Sequence, residues 1–187
     1  MDATLKDYRE AVEFLAKNRV DNLIFNAGDE HAQIIFQNIF KNCEGKIRLL
    51  AGNLQNEVTK SAAYLDALKG FLQRDGSKLE VMLDNFARFS KQGEVEVFKV
   101  LLEYRDKVAI KSTDTKFYVT KVTEGGAEEK VPVHFCTGNA MYRLEIDTRT
   151  RSARCNFNDK SFVEDLNTLF DEDTKKGREI AWNEVLP

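Results

Sequence analysis

Between residues 23 and 110 the chain alternates short, mainly apolar runs with longer segments of helical periodicity, and no other property restricts its fold as tightly. Leu23-Ile24-Phe25 runs into Asn26-Ala27-Gly28 and reads as a buried strand. Asp29 follows as an N-cap for a helix over 30–42 that turns Ala32, Ile35, Phe36, Ile39 and Phe40 inward and stops near Gly45. Ile47–Ala51 is the next strand, followed by a helix over 58–73 carrying Ala62, Leu65, Leu68, Phe71 and Leu72. Leu79–Leu83 is a third strand. A polar stretch through Lys91-Gln92-Gly93 leads to a helix marked by Val97, Phe98, Leu101 and Tyr104, and Val108–Ile110 is a fourth strand. Strands separated by single helices predict a largely parallel sheet with right-handed crossovers.

The flanking segments complete this unit. Leu5, Tyr8, Val12 and Leu15 predict an amphipathic helix over 4–18. After Ile110 the rhythm changes: 117–122, 131–136, 141–147 and 153–157 read as strands joined by turns, with a polar glycine-bearing loop over 123–130. Pro132 puts its strand at an edge or entry position. Asp159 caps a helix over 160–172, and Ile180 and Trp182 mark a docked tail. The fold expected is α/β: a single three-layer α/β/α-type domain with a mixed sheet, divided into an N-terminal helix (4–18), a core (19–172) and a tail (173–187). With 187 residues, 42% of them hydrophobic, the chain suffices for one such core; a domain near this size buries roughly 70% of its unfolded surface.

Charge and residue counts remove several function classes. A net charge of −3 on 28 basic and 31 acidic side chains argues against a bulk binder of nucleic acid or anionic membrane, though not against a local basic patch. No apolar stretch is long enough to cross a membrane, and the polar start Met1-Asp2-Ala3-Thr4 carries no secretory signal, so a cytoplasmic location is expected. Cys43, Cys136 and Cys155 form an odd set without paired spacing, which predicts reduced, buried thiols. No metal-ligand spacing and no cofactor motif occurs, so neither is expected. His31 and His134 are the only two histidines, and any mechanism needing a histidine pair within one chain must use both.

The chemistry concentrates between His134 and Asp159. Alternation places His134 and Cys136 on one face of their strand, Arg143, Glu145 and Asp147 on one face of the next, and Asn156 and Asn158 on one face of the last. Should the polar faces converge, His134, Arg143, Glu145, Asn156 and Asn158 form a ligand-binding pocket. The competing expectation is a surface salt-bridge ladder of Arg143, Glu145 and Arg154, worth little energetically. The turn Asn26-Ala27-Gly28-Asp29-Glu30-His31 ends a strand where α/β folds bind anions, but Asp29 and Glu30 repel phosphate and no lysine follows. Cys136 beside His134 is a candidate reactive thiol against a packing role.

This order of elements resembles one half of a phospholipase D-like domain over residues 18–172. That family carries His-x-Lys, a following Asp, and a Gly-Ser-x-Asn strand before a helix. Val133-His134-Phe135-Cys136 stands in the first place and Ala153-Arg154-Cys155-Asn156-Phe157 in the second. Only His134 and Asn156 match: Cys136 replaces the lysine, Met141 the aspartate, and Ala153 and Arg154 the glycine and serine. In that family one histidine attacks phosphorus, a second protonates the leaving group, and lysine and asparagine stabilise the charged transition state. The resemblance therefore implies a catalytically degenerate binding or regulatory module. It would recognise a protein partner, a nucleic acid or a nucleotide-like ligand without a membrane, as an accessory of a bacterial defence or mobile-element system. The alternative it implies is a homodimeric phosphodiesterase or nuclease, with His134 as nucleophile and Arg143 and Asn156 as phosphate clamps.

Overall fold

The structure, a computed structural model, describes residues 3–86, 95–122 and 125–185; the polar stretch at Lys91-Gln92-Gly93 and the loop residues Thr123 and Glu124 lie outside them. Helix α1 (Ala3–Lys17) leads to strand β1 (Ile24–Asn26), helix α2 (Asp29–Asn42) and strand β2 (Lys46–Ala51). Helices α3 (Glu57–Lys60) and α4 (Ala62–Gln73), strand β3 (Lys78–Leu83), helix α5 (Glu96–Glu103) and strand β4 (Val108–Ser112) follow. The helix expected over 58–73 is thus two, divided at Ser61, whose hydroxyl accepts from the Tyr64 N–H and restarts the chain as α4.

β2, β3 and β4 are parallel and in register, as their crossover helices require. β1 is not part of that parallel set. It lies at the far edge of the sheet, antiparallel to a strand from the C-terminal half, with Phe25 70% exposed. The expectation of a buried strand at 23–25 is corrected on this point: an apolar run also serves at an edge, and a three-residue strand gives periodicity nothing to discriminate. Asp29 is corrected too. Gly28, at φ 82°, precedes α2, and the Asp29 carboxylate makes no cap bond but pairs with Arg151.

After β4 the chain forms a separate two-stranded ribbon, β5 (Tyr118–Val122) and β6 (Glu128–Pro132), so strand replaces the end of the expected loop. The single strand read over 131–136 is divided at Val133. β7 (His134–Gly138), β8 (Met141–Asp147) and β9 (Ser152–Asn156) then form an antiparallel meander, β7 pairing with β2. Helix α6 (Lys160–Thr174) is capped by Asp159, which accepts from the Phe162 N–H. The tail is integrated into the domain: strand β10 (Arg178–Glu179) pairs antiparallel with β4, Ile180 is buried, and helix α7 (Trp182–Val185) closes the chain.

The resulting eight-stranded mixed sheet has the order β1-β9-β8-β7-β2-β3-β4-β10. Strand alternation sends Ile47, Leu49, Leu79, Val81 and Cys136 into one core with α1 to α5, and Leu50, Met82, Phe135 and Leu144 into a second core with α6. This is the expected single α/β domain with helices on both faces of a mixed sheet. None of its described helices is long and apolar enough to cross a membrane.

Candidate functional site

His134 opens β7, and cross-strand pairing sets Glu145 of β8 directly opposite it. Cys136 opposes Arg143 in the same way, so His134, Arg143 and Glu145 share the face that looks toward α2. Asp84, immediately after β3, reaches the imidazole from the next parallel strand end: His134 Nε2 lies 3.2 Å from its Oδ2. On the other side of the ring, Nδ1 lies 3.9 Å from Glu145 Oε1. Arg143 donates from Nη1 to Glu145 Oε2 at 2.8 Å and from Nη2 to the Arg151 carbonyl at 3.0 Å, with its guanidinium over the Phe36 ring. Arg151 completes the chain of charges, donating to Glu145 at 3.4 Å and to Asp29, at the start of α2, at 3.1 Å.

Burial distinguishes this group from a surface ladder. Arg143 is 3% exposed and Glu145 4%, and Arg154, the third member of the expected ladder, projects from the other face. A buried guanidinium and carboxylate each lose several kcal/mol of solvation, so they persist only as a well-bonded pair. Arg143 Nε has no hydrogen-bond partner.

The group borders a cavity of about 140 Å³. Its floor is Leu49 and Ala51 of β2, Cys136 of β7 and Arg143 of β8, and its roof is Phe36 of α2 with Leu54 and Asn56 of the following loop and Val58 and Thr59 of α3. It therefore sits at the carboxyl end of β2, the usual position for ligands in α/β sheets. Leu54 holds φ at 58°, a left-handed conformation uncommon for a leucine, and its carbonyl accepts from Thr59 Oγ1 at 2.7 Å, which fixes the roof loop.

Of the five expected ligand-binding residues, three meet and two do not. His134, Arg143 and Glu145 converge, but Asn156 pairs across from Tyr142 on the α6 face, donates to Asp21 at 2.7 Å, and accepts from the Asn158 N–H. Asn158 lies beyond the end of β9 and is exposed. Each strand's alternation was legible, but the faces of two strands coincide only through their register, and that register sets Arg143 opposite Cys155 rather than Asn156. Asp84 and Arg151 were missed because both lie in turns. Asp84 nonetheless follows a parallel strand directly, as Gly52-Asn53 does after β2, and that position alone marks it as a candidate. Cys136 is fully buried and desolvation raises its thiol pKa, so it is a packing residue and not a reactive one.

These elements and their order define a phospholipase D-like fold, and comparison with known structures bears this out. The chain superposes on TrmBL2, described as an archaeal chromatin protein with a novel mode of DNA binding (TM-score 0.59, 13% identity, 95% of this chain), and spans only 63% of that protein's length. It superposes on Nuc from Salmonella typhimurium, a phospholipase D family member (TM-score 0.57, 10% identity, 86% of this chain and 99% of Nuc), and on NucT from Helicobacter pylori (TM-score 0.54, 8% identity, 86% and 100%). No protein-family model matches the sequence, and no curated protein does.

Proposed function

We propose that this phospholipase D-like domain does not cleave phosphodiesters and instead acts as a binding module. Its ligand site is the cavity bordered by His134, Arg143, Glu145 and Arg151. One observation carries this reading: each cationic or nucleophilic group that would serve phosphoryl transfer is already faced by a carboxylate. Nucleophilic attack needs a ring nitrogen that faces phosphorus: Asp84 holds Nε2 within hydrogen-bond distance, and Nδ1, which makes no hydrogen bond among the described residues, faces the Glu145 carboxylate at 3.9 Å. Two carboxylates there repel a phosphodiester. Arg143, the candidate replacement for the missing lysine, is committed to Glu145, and the lysine position itself holds buried Cys136. The charges of the site compensate one another, so the cavity favours a small polar ligand with net charge near zero over a phosphate.

The test is incubation with single- and double-stranded DNA and RNA and with bis(p-nitrophenyl) phosphate, alongside His134→Ala. DNA is the first macromolecular probe because TrmBL2 binds it. The expected result is no hydrolysis above that of the variant. Cleavage by the wild type that disappears in a folded His134→Ala protein would overturn the reading in favour of the phosphodiesterase.

A further inference from the structure

The two ends of the eight-stranded sheet are finished differently. β10, at one end, carries Arg178 and Glu179, both exposed, with Arg178 also paired to Glu184. Charged residues on a short strand are the usual protection of a free edge. β1, at the other end, reads Ile24-Phe25-Asn26, without a charge or a proline, and its outer edge pairs with no strand among the described residues. Phe25 is 70% exposed and Leu23 46%.

Phe25 also stands between two hollows, of about 700 and about 460 Å³, and Ile146 borders both. The far wall of the larger hollow is the β5–β6 ribbon, where Thr120 lines the space. Tyr118 and Val122 alternate onto the same side of the ribbon as Thr120 and are 50% and 65% exposed. The groove carries charges of both signs, Lys130, Arg149 and Arg154 against Glu129 and Asp147. Arg154 stacks on Phe162 at 4.9 Å, makes no ion pair among the described residues, and has a buried Nε without a hydrogen-bond partner.

We infer that this edge is an interface with a second copy of the same chain, formed by antiparallel pairing of β1 with the partner's β1. A two-fold interface needs a surface complementary to itself. This one has a protruding aromatic beside a groove lined by charges of both signs, and a strand edge able to pair with its own image. Such pairing joins the two sheets into one of sixteen strands. It leaves three strands between each His134 and the interface, so the two imidazoles stand about 34 Å apart at roughly 4.8 Å per strand spacing. The dimer therefore keeps its cavities separate, unlike one that shares a phosphoryl-transfer site.

Sedimentation velocity at about 50 µM tests this, and the expected species has twice the 21.4 kDa chain mass. Phe25→Glu is expected to weaken association at least about 100-fold, the scale of a central interface aromatic. Because the native cysteines are buried, Phe25→Cys should give a covalent dimer under mild oxidation, whereas Glu179→Cys at the opposite edge should not. A monomeric wild type at about 100 µM overturns the inference, whatever else the groove binds. So does a dimer that persists in Phe25→Glu, or cross-linking at position 179 but not at 25. If Phe25→Glu fails to fold by circular dichroism, the cysteine pair decides.

Discussion

Arg143 brings a full charge into a mainly apolar interior, and Glu145 is what makes that tolerable. Removing one partner leaves the other charged and desolvated. Arg143→Ala is therefore expected to cost about 3–5 kcal/mol in denaturant unfolding, while Arg143→Met combined with Glu145→Leu recovers most of the loss. The thiols make a second residue-scale prediction. Burial pushes Cys43 and Cys155 up to about 12 and raises Cys136 as well, whereas an unfolded cysteine ionises near about 8.5. Between those values the unfolded chain loses protons that the folded chain keeps, so stability falls as pH rises above about 9, by up to about 1.4 kcal/mol per pH unit for each thiol. Urea unfolding at pH 8, 9 and 10 checks the sign, and Cys155→Ala should flatten the slope. The same burial predicts no reaction with Ellman's reagent until the protein unfolds. Burial of the cysteines was readable from their apolar neighbours. The ion pair was not, because Arg-Leu-Glu on a strand is equally the pattern of a solvated face.

Among the elements, the parallel centre was the most legible part. Each of β2 to β4 is a mainly apolar segment, and each crossover helix has a clear inward face. What sequence could not reveal was the pairing of strands distant in the chain: β7 with β2, and β1 with β9. Those pairings decide which polar faces meet, and therefore why the imidazole found Asp84 and Glu145 rather than Asn156. The β7–β2 contact leaves a local signature in Gly138. A Cβ there would lie 2.7 Å from Cys43 Sγ and 3.1 Å from Ile47 Cγ1, where α2 ends against the sheet. Gly138→Ala should cost about 1–3 kcal/mol through overpacking, and adding Cys43→Ala should return part of it. Denaturant unfolding of the wild type, Gly138→Ala, Cys43→Ala and the double variant, read as a double-mutant cycle, measures that coupling.

For the whole molecule, the fold and the site carry different messages. The fold is shared with a phospholipase D family member and with a DNA-binding chromatin protein, whereas the site places Asp84 and Glu145 around the imidazole; fold alone therefore does not settle activity. Assembly adds a thermodynamic observable. A dimer through β1 makes thermal stability depend on concentration, so Tm should rise by a few degrees between about 1 and 100 µM protein for the wild type and stay flat for Phe25→Glu. Differential scanning fluorimetry across that range reads both.

The pairing of β1 with β9 also has a consequence for synthesis. Phe25 and its cross-strand partner Arg154 are 129 residues apart. At roughly 5–20 residues per second, a ribosome needs about 6–26 s to make that intervening chain. Throughout that interval β9 is missing, so the nascent polypeptide carries an adhesive segment at Ile24-Phe25 that only the synthesis of β9 can cover.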